Sequence, residues 1–150
     1  MDGRSFSEIV RHTLATARDE AAALHHPYVG TEHLLLALTV CSDRALLELW
    51  SALGVNPDVL RQEMVNGLQP DRYAHSGPDL PYTRTFKKAL EFAMREATAL
   101  GDTTTVEPLH LLLGEAGQQT ELAAKLLEGR GATVERIRAE VARLRGKGTS

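Results

Sequence analysis

The chain has 150 residues and a formal net charge of −3, with 43% hydrophobic and 25% charged residues, as is ordinary for a globular domain. Its length allows one domain, or two small units packed as one, with a core that needs no disulfide or metal. The lone cysteine, Cys41, cannot form an intramolecular disulfide, and no apolar run approaches the ~20 residues of a membrane span. Composition therefore excludes a disulfide-stapled secreted scaffold, a membrane protein and a disordered chain, and does not favour nucleic acid binding.

Helical periodicity extends through the first part of the chain. Apolar residues recur at steps of three and four over residues 6–24, which predicts a helix that begins with a capping box of Ser5 and Glu8. Pro27 follows it, and proline cannot continue a helix. Three more helices are predicted, at about 31–38, 42–53 and 57–67.

A proline-rich segment, residues 68–81, interrupts this pattern and is predicted to be a linker. The helical pattern then resumes, and no alternation of apolar and polar residues is long enough to predict a strand. The segments that follow the leucine clusters at 34–36 and 111–113, residues 39–44 and 115–119, are predicted to be loops. Four helices are predicted after the linker, at about 83–100, 108–113, 118–128 and 133–145.

The second half of the chain repeats the first. At an offset of 76 positions, six residues of the first predicted helix match six of the fifth, and one inserted residue then makes the offset 77. His33 and His110 each precede three leucines, and Gly54 matches Gly131. Such a repeat indicates two units that close their open apolar faces against each other. We therefore predict an all-α, eight-helix globule of two pseudo-symmetric four-helix repeats, at about 5–67 and 82–145.

The repeat signature resembles a known family. The string YVGTEHLLLAL at 28–38, followed by LGV at 53–55, is similar to the N-terminal domain of Clp unfoldases, and KKALE at 87–91 with HLLL at 110–113 looks like its second repeat. The resemblance extends over residues 6–145 and is closest to the ClpC branch. It implies a domain that recruits substrates and adaptor proteins for an ATPase and has no catalysis of its own. No GxxxxGK[ST] phosphate loop is present, so the chain is expected to be a free-standing Clp-repeat protein or an excised domain.

Resemblance to ClpC also implies phosphoarginine binding, with one site in each repeat. In that family a hydroxyl residue after the first aromatic contacts the phosphate, and the glutamate of the GTEH string pairs with the guanidinium. Carried over, the first site is Ser7 and Glu32. In the second repeat Thr83 is present but Leu109 precedes His110, so that site is expected to be lost or weakened.

A groove for cyclic peptide antibiotics is implied as well, between the starts of the two long helices. Arg11, Tyr82, Lys87 and Glu91 match that surface by residue type, whereas Gly3 stands where an aromatic residue is expected. A free-standing domain with such a groove would act as a decoy that sequesters the antibiotic.

These residues also have plainer interpretations. Glu32 in the first turn of a helix is favoured by the helix dipole, and Ser7 is equally typical of a helix start. His33 and His110 are expected to be structural. A metal site is disfavoured because the histidines lack a metal-binding spacing and a cysteine partner.

From the sequence we therefore predict a non-catalytic, monomeric, cytoplasmic recognition module of protein quality control. Its expected partners are protein substrates or adaptors of the Clp system, or a cyclic peptide, with no cofactor, metal, nucleic acid or membrane. The decoy role is the first alternative. A small helical hydrolase or a DNA-binding regulator is the second, for which the sequence offers neither a catalytic constellation nor an uncompensated basic face.

Overall fold

The computed structural model describes residues 5–70, 80–101 and 105–148, so Gly3 and most of the predicted linker lie outside the described residues. Within these ranges the chain forms eight helices, which confirms the predicted all-α class. No helix in the described ranges has the length and hydrophobicity to cross a membrane. The elements in chain order are β1 (Ser5–Phe6), α1 (Glu8–Ala23), α2 (Thr31–Thr39), α3 (Arg44–Leu53), α4 (Pro57–Asn66), α5 (Arg84–Ala99), β2 (Thr105–Val106), α6 (Pro108–Ala116), α7 (Leu122–Gly129) and α8 (Val134–Gly148).

The two long helices begin in the same way. The Ser7 hydroxyl accepts a hydrogen bond from the Val10 N–H at 3.2 Å, and the Thr83 hydroxyl accepts one from the Phe86 N–H at 3.0 Å. Each hydroxyl satisfies a backbone donor that has no partner inside the helix. The capping box predicted from Ser5 is wrong, because Ser5 belongs to β1 and the cap lies two residues later.

Short backbone pairings join the two repeats. β1 pairs in parallel with β2, and Val29 forms a parallel bridge with Tyr82. Each pairing links the residues before the long helix of one repeat to the residues before the leucine-rich helix of the other. The sequence predicted no strand, since a two-residue pairing leaves no alternation to detect. The two crossed connections place the starts of α1, α2, α5 and α6 near the boundary between the repeats.

The leucine-rich helices form the centre of the core. Residues 33–39 of α2 and all of α6 are buried, and each packs against the long helix of its own repeat. This burial corrects the prediction that Glu115 belongs to a loop, because Glu115 lies inside α6 with 0% of its surface exposed. Its counterpart at an offset of 77 is Leu38, a core residue of α2.

One ion pair in each repeat connects the long helix to the last helix. Glu20 pairs with Arg61 at 2.9 Å, and Glu96 accepts two hydrogen bonds from Arg138, at 2.8 and 2.6 Å. The Arg138 guanidinium lowers the pKa of the Glu96 carboxyl, chiefly through these hydrogen bonds. All four residues occupy matching positions of the repeat, so the two units share their polar ties as well as their apolar core.

Candidate functional site

α1 and α2 pack in opposite directions. Near the start of α1, the Thr13 hydroxyl lies 3.7 Å from the sulfur of Cys41, which follows α2. Beyond the end of α1, His26 lies 2.7 Å from His33, in the first turn of α2. The start of each helix is therefore close to the end of the other.

This packing separates the two residues that the sequence assigned to the first site. Ser7 precedes α1, and its N–H donates to the carbonyl of Val106 at 3.1 Å, whereas Glu32 lies at the opposite end of the α1–α2 pair. The N–H of Thr83 donates to the carbonyl of Val29 at 2.9 Å, three residues before Glu32. The backbone thus connects the start of α2, which carries Glu32, to Thr83 of the second repeat, whereas Ser7 is connected to the residues before α6.

The Glu32 carboxyl is partly withdrawn from water. It is half-buried and folds back over Gly30, where a Cβ atom would collide with it. Burial raises the pKa of Glu32, and the nearby Glu121 adds to the rise, while a backbone hydrogen bond and His26 oppose it. Thr31 donates its hydroxyl proton to Glu121 at 3.2 Å. A desolvated carboxylate of this kind gains from pairing with a cation.

Glu115 lies near the Glu32 and Glu121 carboxyls, and the sequence pattern assigns no role to Glu115 or Glu121. Neither side-chain oxygen of Glu115 has a hydrogen-bond partner among the described residues. Burial raises the pKa of Glu115 well above its usual value, with further increases from Glu32 and Glu121. Burial therefore favours the protonated, uncharged form of Glu115 over the carboxylate.

Thr83 supplies the opposite polarity. Its hydroxyl oxygen accepts the Phe86 N–H, which leaves the hydroxyl proton to be donated to a ligand. The N-terminus of a helix carries a partial positive charge and unpaired N–H groups, which favour an anion. Thr83 is half-buried at the start of α5. The start of α5 therefore has the polarity that favours an anion, whereas the Glu32 carboxylate has the polarity that favours a cation.

The matching position beside Ser7 has a different character. Leu109 occupies the place in α6 that Glu32 occupies in α2, and it is 5% exposed. Glu107 lies two residues earlier, at the N-cap of α6, where its N–H donates to His110 at 2.8 Å. The position that carries the Glu32 carboxylate in α2 therefore carries a leucine in α6, whose preceding strand pairs with the residues before Ser7.

The predicted antibiotic groove contains one fixed aromatic ring. Tyr82 stacks in parallel on Phe86 with ring centroids 4.4 Å apart, and the guanidinium of Arg18 lies 4.7 Å from the Tyr82 ring centroid. The other predicted groove residues are exposed, and two of them occupy equivalent positions of the repeat; these residues are Arg11, Lys87 and Glu91.

The two histidines of the first repeat form a hydrogen-bonded chain. His33 Nδ1 accepts the Gly30 N–H at 2.8 Å, so His33 Nε2 carries a proton and donates it to His26 Nδ1 at 2.7 Å. His26 Nε2 then donates to the Gln69 carbonyl at 2.7 Å. All four ring nitrogens of His26 and His33 therefore take part in a hydrogen bond. Within the described ranges, no group of three or more His, Cys, Asp or Glu residues is placed to hold a metal.

Comparison with known proteins identifies the family. Residues 5–106 match the model of the Clp repeat (R) N-terminal domain, which is more than half of the chain. The chain belongs to this family. This Clp N-terminal domain is 32% identical over 146 residues, 97% of its length, to the negative regulator of genetic competence ClpC/MecB of Bacillus subtilis (strain 168). It is 31% identical over 144 residues, 96% of its length, to the chloroplastic chaperone protein ClpC1 of Oryza sativa subsp. japonica. The chain spans 18% and 16% of the length of these two relatives.

Solved structures agree on the fold. The Clp N-terminal domain superposes on the N-terminal domain of the chaperone ClpD from Arabidopsis thaliana with a TM-score of 0.69 and 23% identity, covering 93% of this chain and 94% of the other. For the Hsp104 N-terminal domain from Candida albicans the TM-score is 0.71 and the identity 16%, with 95% and 93% covered. The eight-helix architecture is therefore the family fold.

Proposed function

We propose that this Clp N-terminal domain is a non-catalytic recognition module for protein substrates or adaptors of a Clp system, and that Glu32 and Thr83 bind a phosphorylated arginine side chain. The observation that carries the proposal is the backbone connection between Thr83 and Val29, which joins the start of α5 to the start of α2. This connection supports the proposal because a helix start favours an anion and the carboxylate of Glu32, three residues after Val29, favours a cation.

The two halves of the site match the two halves of phosphoarginine. The guanidinium group presents N–H donors to the Glu32 carboxylate, and an ion pair with it offsets the loss of water that raises the pKa of Glu32. The phosphate group accepts hydrogen bonds from the Thr83 hydroxyl and from free N–H groups of the first turn of α5. The Ser7 side has the hydroxyl without the carboxylate, so one ligand per chain is expected.

Calorimetric titration with free phosphoarginine tests this proposal. Glu32→Gln removes the charge that pairs with the guanidinium, and Thr83→Ala removes a donor to the phosphate, so each is expected to weaken binding about tenfold or more. Ser7→Ala is the matched control, because it removes the equivalent cap at the same cost of about 1 kcal/mol in stability. Loss of binding in Ser7→Ala with none in Thr83→Ala would contradict the assignment of the site.

A decoy for cyclic peptide antibiotics is a second candidate function, supported by the fixed ring of Tyr82 beside exposed Arg11 and Lys87. Titration with a cyclic peptide that targets ClpC is expected to show binding that Tyr82→Ala weakens about tenfold, because the stacked ring is lost. Glu32→Gln serves as the control and is expected to leave this binding unchanged. Binding of the cyclic peptide without any binding of phosphoarginine would favour the decoy, and absence of both would contradict both functions.

A further inference from the structure

A second concave surface lies between α3, the start of α6 and the last turns of α8. Its volume is about 380 Å³. The floor is apolar and is formed by Leu49, Leu109, Val141 and Leu144. The rim carries three acidic residues and one basic residue, namely Asp43, Glu48, Glu107 and Arg145. We call this surface the acidic-rimmed recess.

The recess exists because the two repeats differ at a few matching positions. Ala45, in the first turn of α3, corresponds to Leu122 in the first turn of α7. On the α7 side the leucine packs on the end of α4, since a Cβ atom on Gly67 would lie 3.3 Å from its Cδ2 atom. On the α3 side the side chain stops at Cβ and leaves space. Leu109 stands where Glu32 stands in the other repeat, so the open space has an apolar floor.

The charge of the rim limits which partners fit. Asp43 is held in place because its carboxylate accepts the Leu46 N–H at 3.0 Å. The Glu48 side chain is 56% exposed, and its contact with Arg44 is long, at 3.9 Å. An exposed pair of this kind contributes little, so Glu48 remains free to meet another cation. Three carboxylates and one guanidinium, that of Arg145, line the recess, so its lining carries an excess of negative charge that the long contact with Arg44 offsets only slightly.

We infer that the acidic-rimmed recess binds a segment of a protein partner in which one aliphatic or aromatic side chain is flanked by lysine or arginine. The volume suits one large side chain with its adjoining backbone, and burial of that side chain against the leucine floor supplies the affinity. The basic neighbours meet the carboxylates of the rim and set the specificity. The inference extends beyond the phosphoarginine site, because it uses neither Glu32 nor Thr83, and the two can fail separately.

Fluorescence anisotropy with three labelled nonapeptides tests the chemistry. The first has a central leucine with two arginines on each side and glycine and serine at the ends. The second replaces the leucine by serine, and the third replaces the arginines by glutamate. The first peptide is expected to bind, and the other two to bind about tenfold more weakly or not at all. Equal binding of the leucine and serine peptides would overturn the inference, because charge alone would then explain the affinity, and so would the absence of binding at about 1 mM.

A pair of alanine replacements tests the location. Ala45→Trp fills the recess at an exposed position of α3 and is expected to weaken binding of the first peptide about tenfold. Ala139→Trp places the same side chain on the exposed face of α8, away from the recess lining, and is expected to leave binding unchanged. Circular dichroism of both variants checks that each is folded before the affinities are compared. An unchanged affinity in folded Ala45→Trp would place the peptide elsewhere and overturn the inference.

Discussion

Replacing Glu115 by leucine is expected to raise the free energy of unfolding by about 2 kcal/mol at pH 5, which is unusual for a change at a fully buried position. The carboxyl group lies in the core without a partner among the described residues, so folding removes its water and returns no hydrogen bond. The matching position of the first repeat is Leu38, which is fully buried in an equivalent helix. A leucine at Glu115 therefore suits the fold and adds apolar burial.

The pH dependence of the stability gain distinguishes the removal of an unpartnered carboxyl from simple repacking of the core. The pKa of Glu115 is raised in the folded state, so the unfolded chain loses its proton near pH 4.5 while the folded chain keeps it. The stability contributed by this group is fully present below pH 4.5 and falls as the pH rises toward the folded-state pKa. The gain from Glu115→Leu is therefore expected to be larger at pH 8 than at pH 5. Urea unfolding at the two values measures the difference.

Two further variants define the control. Glu115→Gln keeps a polar side chain of the same size but cannot ionise. It is therefore expected to remove the contribution of this position to the pH dependence of stability, without the full stability gain of leucine. Glu128→Leu makes the same replacement at an exposed position of α7 and is expected to change stability by less than about 0.5 kcal/mol. A loss of stability in Glu115→Leu at pH 8 would mean that the buried carboxyl is satisfied and would contradict the interpretation.

The sequence predicted the fold well because the repeat is a property of local pattern. The signals that specify the helices each act within a few residues of their own position. They are the apolar spacing, the prolines at helix starts, Pro57 and Pro108, and the glycines with a left-handed backbone, Gly54 and Gly131. Glu96 and Arg138 each match a residue of the same type in the first repeat. The repeat pattern does not predict their ion pair, because nothing in one repeat alone shows that its first and last helices touch.

The candidate site was harder to predict because it is formed across the repeats. The family pattern paired Glu32 with Ser7 within one repeat, whereas the bridge between Val29 and Tyr82 connects the start of α2 to the residues before α5, next to Thr83. The prediction that Glu115 belongs to a loop was wrong for a similar reason. A glutamate after three leucines is typical of a helix end near solvent, and only the packing of neighbouring helices makes it core.

Acid destabilisation through His33 is the second large effect, and it opposes the effect of Glu115. Burial lowers the pKa of His33 from 6.5 to about 4, with a further decrease from His26, so the folded chain stays neutral while the unfolded chain binds a proton below pH 6.5. The stability from this group is fully present above pH 6.5 and is lost as the pH falls toward 4. Burial disfavours the charged ring, and a proton on His33 Nδ1 would also remove the acceptor of the Gly30 N–H.

Between pH 5 and 6.5 the contributions of Glu115 and His33 to the free energy of unfolding change with pH in opposite directions, so wild-type stability is expected to vary little there. Glu115→Leu removes the first contribution and leaves that of His33. Urea unfolding of that variant is expected to show a loss of up to about 2 kcal/mol from pH 6.5 to pH 5, which the raised pKa of Glu32 partly offsets. The range stays above pH 4.5, below which protonation of Glu96 adds its own loss. Adding His33→Asn, which keeps an acceptor for Gly30 but not a titrating ring, is expected to abolish this loss, while adding His12→Asn at an exposed position of α1 leaves it. A His33 ring that titrates near pH 6.5 by NMR would contradict burial of the neutral ring as the cause.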